Sequence, residues 1–314
     1  MTNNINLPLC GIIPPIVTPL LDCDTLDHTG LERLIEHILE GGVQGIFVLG
    51  TTGEAQSLSY RLRYELIENV CKLVAGRVPV LVGITDTAFI ESLHLADKAA
   101  KHGATTVVLA PPYYFPAGQP ELLEYLKHII PQLPLPVFLY NMPSHTKLVF
   151  EPETVRSALT LPGVIGLKDS SANMTYFQLI RNMTLDLPHF SLLMGPDNLL
   201  AEAVMFGAHG GVCGGANLFP KIYVELFKAA QDRQIDRMME LHQLVMGIVL
   251  NIFEIGKYSS GFIKGIKCAL SIMGICSDFM AEPFHRFRKD ERERIHTYLE
   301  KCNLSDEINT ILKK

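Results

Sequence analysis

Gly163-Val164-Ile165-Gly166-Leu167-Lys168-Asp169-Ser170-Ser171 is an unbroken apolar run that closes on a lysine and then turns polar. Such a run does not alternate apolar with polar residues, so it does not suit a sheet with one wet face. It reads as a strand covered on both faces, the habit of a parallel sheet with helices packed against it. Seven other runs share the pattern: GIIPPIVTP from Gly11, QGIFVLG from Gln44, VPVLVGI from Val78, TTVVLAPP from Thr105, LPVFLYNMP from Leu135, FSLLMGPD from Phe190 and HGGVCGGAN from His209.

Amphipathic segments at 29–40, 60–74, 88–102, 119–130, 151–158, 173–183 and 197–206 separate these runs, a strand-helix rhythm of roughly 25 to 30 residues. Eight such units are what a closed α/β barrel needs. A doubly wound sheet would more often have fewer strands and a glycine-rich phosphate fingerprint after the first, but the first run here ends in TPLLD. The fold predicted is a TIM (β/α)8 barrel. Residues 1–217 form its core through strand eight, and 218–314 supply the eighth helix and a C-terminal helical extension, with helices at 220–230, 233–255, 262–273 and 289–302 broken by Gly261, Gly274 and Pro283.

Composition narrows the partners. The chain has 314 residues, 48% hydrophobic and 19% charged, enough apolar material for a large core. Its formal charge of −6 comes from interspersed acids and bases, so no basic stripe offers the counterion release that nucleic-acid binders use. The seven cysteines are odd in number, scattered and without a CxxC pair, which suits reduced thiols. MTNNINLPLC lacks a basic leader, and no uncharged apolar run approaches the roughly 18 residues that cross a bilayer. A cytoplasmic protein with no membrane partner is expected.

Parallel barrels carry their chemistry at the carboxyl ends of their strands. Those ends read Gly50-Thr51-Thr52-Gly53-Glu54, Pro111-Pro112-Tyr113-Tyr114, Tyr140-Asn141-Met142-Pro143, Lys168-Asp169-Ser170-Ser171, Gly195-Pro196-Asp197 and Gly210-Gly211-Val212-Cys213-Gly214-Gly215. A lysine at the end of a wholly apolar strand is disfavoured as an ammonium, and the neutral amine is the form that attacks a ketone to give an imine. The plainer reading is a strand-end lysine reaching for solvent. Its neighbours favour the first: Tyr140 on the adjacent strand and Thr51 on a loop of the same face make a tyrosine-threonine-tyrosine proton relay sterically reasonable. GTTGE is either a turn with a helix cap or a carboxylate cradle of threonine hydroxyls and backbone N–H groups. The glycines at 210–215 mark either tight packing or close access for a substrate carboxylate.

GTTGE at 50–54, YNMP at 140–143 and GLKDSS at 166–171, in this order and spacing, make the chain resemble the dihydrodipicolinate synthase and N-acetylneuraminate lyase family of class I aldolases from about residue 11 to about 300. The resemblance implies a lyase that joins or cleaves pyruvate, or another 2-oxo acid, and an aldehyde through a lysine Schiff base. By it Lys168 is the Schiff-base lysine and Tyr140 the proton-transfer tyrosine. Thr51 and Tyr114 complete the relay, with Tyr114 available across a dimer interface. Thr52 holds the pyruvate carboxylate, and Gly195 and Val212 line the pocket. The family is typically a homotetramer built as a dimer of dimers and needs no metal or organic cofactor.

One position departs from the pattern. Dihydrodipicolinate synthases carry an arginine for the second substrate's carboxylate after YN-x-P, and this chain has His145 in Pro143-Ser144-His145-Thr146. A largely neutral imidazole cannot reproduce a bidentate guanidinium. Gly214-Gly215-Ala216-Asn217-Leu218-Phe219-Pro220 and the long helical tail look more like the 2-keto-3-deoxy sugar acid aldolases of the same family. Sugar-acid dehydration through the same imine, dihydrodipicolinate synthesis proper, and non-catalytic binding of 2-oxo acids remain as alternatives. A zinc or iron hydrolase barrel is disfavoured, because the eleven histidines form no HxH or HExxH pair. His209, before the last strand, reads as a packed residue rather than a ligand.

Overall fold

The computed structural model describes residues 6–304, with side chains to 301. Eight parallel strands form one sheet: β1 (Gly11–Ile12), β2 (Ile46–Val48), β3 (Val80–Gly83), β4 (Thr106–Leu109), β5 (Val137–Asn141), β6 (Val164–Asp169), β7 (Ser191–Met194) and β8 (Gly210–Gly211). From β2 onward each pairs with the next, and β8 pairs with β1. The ring closes between β1 and β2 through a bridge from Pro15 to Phe47, where the Phe47 N–H donates to Pro14 O and the Ile16 N–H to Phe47 O, both at 2.9 Å. Pro14 and Pro15 have no N–H to give, which keeps this seam sparse. The chain is the (β/α)8 barrel that its sequence predicts, and TPLLD, at the end of the first run, forms part of a small antiparallel hairpin, Leu20–Asp22 with Thr25–Leu26.

Helices follow the strands in order: α1 (His28–Glu40), α2 (Tyr60–Val74), α3 (Phe89–Lys101), α4 (Gln119–Ile129), α5 (Pro143–Thr146), α6 (Pro152–Ala158), α7 (Met174–Met183), α8 (Leu200–Met205) and α9 (Pro220–Gln231). Beyond the eighth helix, α9, lie α10 (Ile235–Ile248), α11 (Gly261–Ile272) and α12 (Lys289–Leu304). The helix expected over 233–255 continues from α10 into a wider π turn at Val249–Phe253. The short α5, directly after YNM, has no counterpart in the sequence reading, because a single turn is too short to show a period.

Strand periodicity sorts the apolar residues into two cores. Ile46, Val48, Leu139, Leu167 and Leu192 point outward and join the larger core under the helices. Ile13, Phe47, Leu81, Phe138, Leu193 and Val212 point inward and fill the barrel, in the layered manner of such barrels. Gly166 makes room in the inner layer: a β-carbon there would lie 2.2 Å from the Phe138 ring and 2.5 Å from Ser191 O. Gly166→Ala should therefore cost about 1–3 kcal/mol through overpacking, read as a lower urea midpoint with an unchanged slope.

Candidate active site

β5 and β6 run in parallel register, with Tyr140 opposite Lys168 and Lys168 opposite Leu193 of β7. Residues in register on adjacent strands face the same way, so the Lys168 stem enters the barrel mouth and Asp169 points outward. Asp169 is fixed on the far side by the Asn141 amide at 2.9 Å, the Ser171 N–H at 3.1 Å and the Ser171 hydroxyl at 3.0 Å. Burial raises its carboxyl above the usual range, against those hydrogen bonds.

Lys168 is 5% exposed. Its Nζ stands 4.1 Å from the ring centre of Tyr140 and 4.9 Å from that of Phe47, and among the described residues it forms no ion pair. Thr51 Oγ1 lies 3.5 Å from the Tyr140 hydroxyl, at the outer edge of hydrogen bonding. These side chains open on a cavity of about 490 Å³ together with Thr52, His145, Gly195 and Val212. Thus seven of the eight site residues singled out from the sequence share one space. Tyr114 does not join them: it is 95% exposed, on a backbone with φ of 81°. Its neighbour Tyr113 instead lines a second chamber of about 500 Å³, which meets the first at Thr51, Tyr140, Met142, His145 and Ser259.

The loop carrying Thr51 and Thr52 is tightly fastened. Gly53 N–H donates to Gly50 O at 3.1 Å and Glu54 N–H to Thr51 O at 3.0 Å, while the Thr18 hydroxyl donates to Gly53 O at 2.7 Å. The Thr51 and Thr52 N–H groups, by contrast, donate to no acceptor among the described residues. Two free N–H groups beside a buried threonine hydroxyl can receive a carboxylate. The glycine stretch does not offer the same, since Asp197 accepts from Gly214 N–H at 3.1 Å and Gly215 N–H at 2.8 Å. Its glycines serve packing: a β-carbon on Gly210 would sit 1.9 Å from Gly11 O, and one on Gly215 2.0 Å from the Tyr223 hydroxyl. Burial also raises the Asp197 carboxyl.

Two contributors escaped the sequence reading. Phe47 is a core residue by pattern, and nothing in QGIFVLG marks its ring as a wall for Lys168. The mouth is also roofed by the segment after α10, with Val249, Phe253, Lys257, Tyr258 and Phe262 lining the cavity. The π turn, which recurs at functional sites, brings Val249 and Phe253 there, and Phe253 and Phe262 meet edge to face at 4.6 Å. His209 is a packed residue, its Nδ1 accepting from Leu192 N–H at 3.0 Å. No cluster of three or more His, Cys, Asp or Glu side chains suited to a metal occurs among the described residues.

A family model described as the dihydrodipicolinate synthetase family matches residues 8–302. The chain belongs to that family. Its members are class I aldolases and lyases, and this chain is a Schiff-base-forming lyase of the family. A solved structure of dihydrodipicolinate synthase from Bacteroides thetaiotaomicron is 56% identical, with a TM-score of 0.92 over 95% of this chain and 100% of that one. YagE of Escherichia coli K12, a prophage protein of the family solved in complex with pyruvate, is 28% identical, with a TM-score of 0.89 over 95% and 99% of the two chains. Escherichia coli K12 also supplies a relative named "Probable 2-dehydro-3-deoxy-D-pentonate aldolase YjhH", 28% identical over 92% of this chain and 96% of its own.

His145 sits on α5, where its Nδ1 lies 2.9 Å from the Ser144 hydroxyl. Partial burial and then the nearby Lys147 ammonium hold its imidazole below the ordinary 6.5. The unfolded chain takes up that proton first, so this group withdraws stability as pH falls from 6.5 toward the folded value. An NMR titration of His145 should give a midpoint under 6.5, and Lys147→Gln should move it upward. A midpoint above 6.5 would contradict the placement of these two side chains.

Proposed function

We propose that Lys168 is the nucleophile, because it is a buried lysine facing the cavity between two aromatic rings with no carboxylate paired to it among the described residues. The neutral amine attacks C2 of pyruvate to give a carbinolamine. Loss of the C2 hydroxyl as water, its proton supplied by the Tyr140 hydroxyl, leaves the imine. Loss of a proton from C3 gives the enamine, whose C3 attacks an aldehyde carbon to form the new bond. Cleavage runs the same steps backward, and hydrolysis frees the lysine. Thr51 passes protons to and from Tyr140, and Thr52 with the two free N–H groups binds the pyruvate carboxylate.

Tyr114 completes the relay from a neighbouring subunit in this reading. Its side chain and that of Phe115, 95% and 83% exposed, present adjacent aromatic surface of the kind that a partner covers. A homotetramer arranged as a dimer of dimers follows from the resemblance. The cytoplasm is the proposed compartment, supported by six unpaired cysteines; the Cys302 thiol lies outside the described side chains. No helix among the described residues is long and apolar enough to cross a membrane.

After borohydride reduction with pyruvate, the peptide holding Lys168 should carry a pyruvate-sized adduct and Lys168→Ala should carry none. An adduct that persists in Lys168→Ala would remove this lysine from the mechanism. Tyr114→Phe should keep the adduct and the fold but slow turnover by roughly 10²-fold or more.

The second substrate is proposed to be the polyol aldehyde released from a 2-keto-3-deoxy sugar acid. A neutral His145 with Ser170 and Asn198 along the cavity suits hydroxyl groups better than a second carboxylate. Dihydrodipicolinate synthesis is the second reading, favoured by the 56% identity to the Bacteroides enzyme. Incubation with 2-keto-3-deoxy sugar acids should release pyruvate, measured with coupled lactate dehydrogenase. Consumption of pyruvate with aspartate semialdehyde, and no release from any sugar acid, would favour the synthase.

A further inference from the structure

Glu54, the last residue of GTTGE, lines neither chamber. Its backbone is left-handed, with φ 56° and ψ 28°, a strained state for a residue with a side chain, which persists only where its surroundings impose it. The surroundings are the C-terminal helical segment. The buried carboxylate pairs through Oε1 with Lys267 of α11 and accepts the Ala281 N–H through Oε2 at 2.8 Å. Lys267 is itself wholly buried and also donates to Phe279 O at 2.6 Å. The stretch that offers these backbone groups is tied at its start to Asp27, whose Oδ2 accepts Ser277 N–H at 3.1 Å while Oδ1 caps α1 at Gly30 N. Chain more than 200 residues away in sequence is thus clamped against the motif loop.

Stability alone is a weak reason for such a pair. Two ions withdrawn from water lose solvation, and apolar residues of similar volume often stabilise as well or better. What apolar residues lack is direction. Thr51 Oγ1 stands 3.5 Å from the Tyr140 hydroxyl, where a small shift of the loop decides whether a proton has a path. We infer that the Lys267–Glu54 pair is a positioning device, by which the helical segment after the barrel holds Thr51 and Thr52 in register with Tyr140 and Lys168. This rests on the Schiff-base reading above.

The full-length protein with pyruvate alone tests it. Borohydride adduct formation reports the imine, and exchange of the pyruvate C3 protons in D2O, followed by NMR, reports its passage to the enamine. Glu54→Gln, Lys267→Met and the double variant Glu54→Leu/Lys267→Met are compared with wild type. Glu54→Gln should melt below wild type, because it leaves the buried Lys267 without its carboxylate, but should stay folded at the assay temperature and still give the adduct at saturating pyruvate. Its half-saturating pyruvate concentration should rise, and its exchange rate fall, each by roughly tenfold or more. The double variant should melt higher than Lys267→Met without recovering exchange. Wild-type-like half-saturation and exchange in Glu54→Gln, or recovery of both in the double variant, would reduce the pair to a stabilising contact and overturn the inference. If Lys267→Met does not fold, the other two variants decide. A wild-type protein that forms no adduct would instead overturn the Schiff-base reading, and this inference with it.

Discussion

The parallel ladder joining β5 to β6 sets Tyr140 beside Lys168 before any side-chain contact is considered. Backbone hydrogen bonds fix the separation of the two Cα atoms and the common direction of the two side chains, so the mouth inherits its geometry from the sheet. Phe47, from across the barrel, then encloses the amine on a second side. A lysine held in this way keeps little of the conformational freedom that it would have at a surface. That loss is taken on folding rather than on binding, which is the physical content of preorganisation.

Much of this was legible in the sequence for a definite reason. Strands covered on both faces leave long apolar runs, and a polar residue ending such a run stands out, as Lys168, Thr51 and Asp197 do. The helix spans were similarly plain where an apolar stripe met a cap: α1 starts after Asp27 and α2 after Ser59, each side chain accepting a hydrogen bond from the first turn. The motifs GTTGE, YNMP and GLKDSS drew the remaining site residues together.

What was not legible lies in contacts between distant parts of the chain. Lys267 sits in GFIKGIKCALSI as one more lysine of an apolar helix, and only the fold sets it against Glu54. The roof over the cavity, from Val249 to Phe262, carries no local sign of its role, because a π turn and an ordinary helical turn have nearly the same apolar spacing. Tyr114 shows the opposite limit. The motifs assign it to the relay by way of a dimer interface, and within one subunit the left-handed backbone turns its ring to solvent, so its place in a site is not decided by one chain.

The alternation of β6 has a further consequence. Lys168 faces the cavity and Asp169 the helix layer, so a slip of one residue along this strand would carry an acid into the mouth and a lysine into the apolar packing outside. Side chains elsewhere in the strand can be exchanged within their volumes, but its length from Gly163 to Ser171 cannot. In a lineage of such chains, insertions and deletions should therefore collect in the connecting loops, and this segment, even where positions other than Lys168 and Gly166 drift in composition, should keep its count of residues constant.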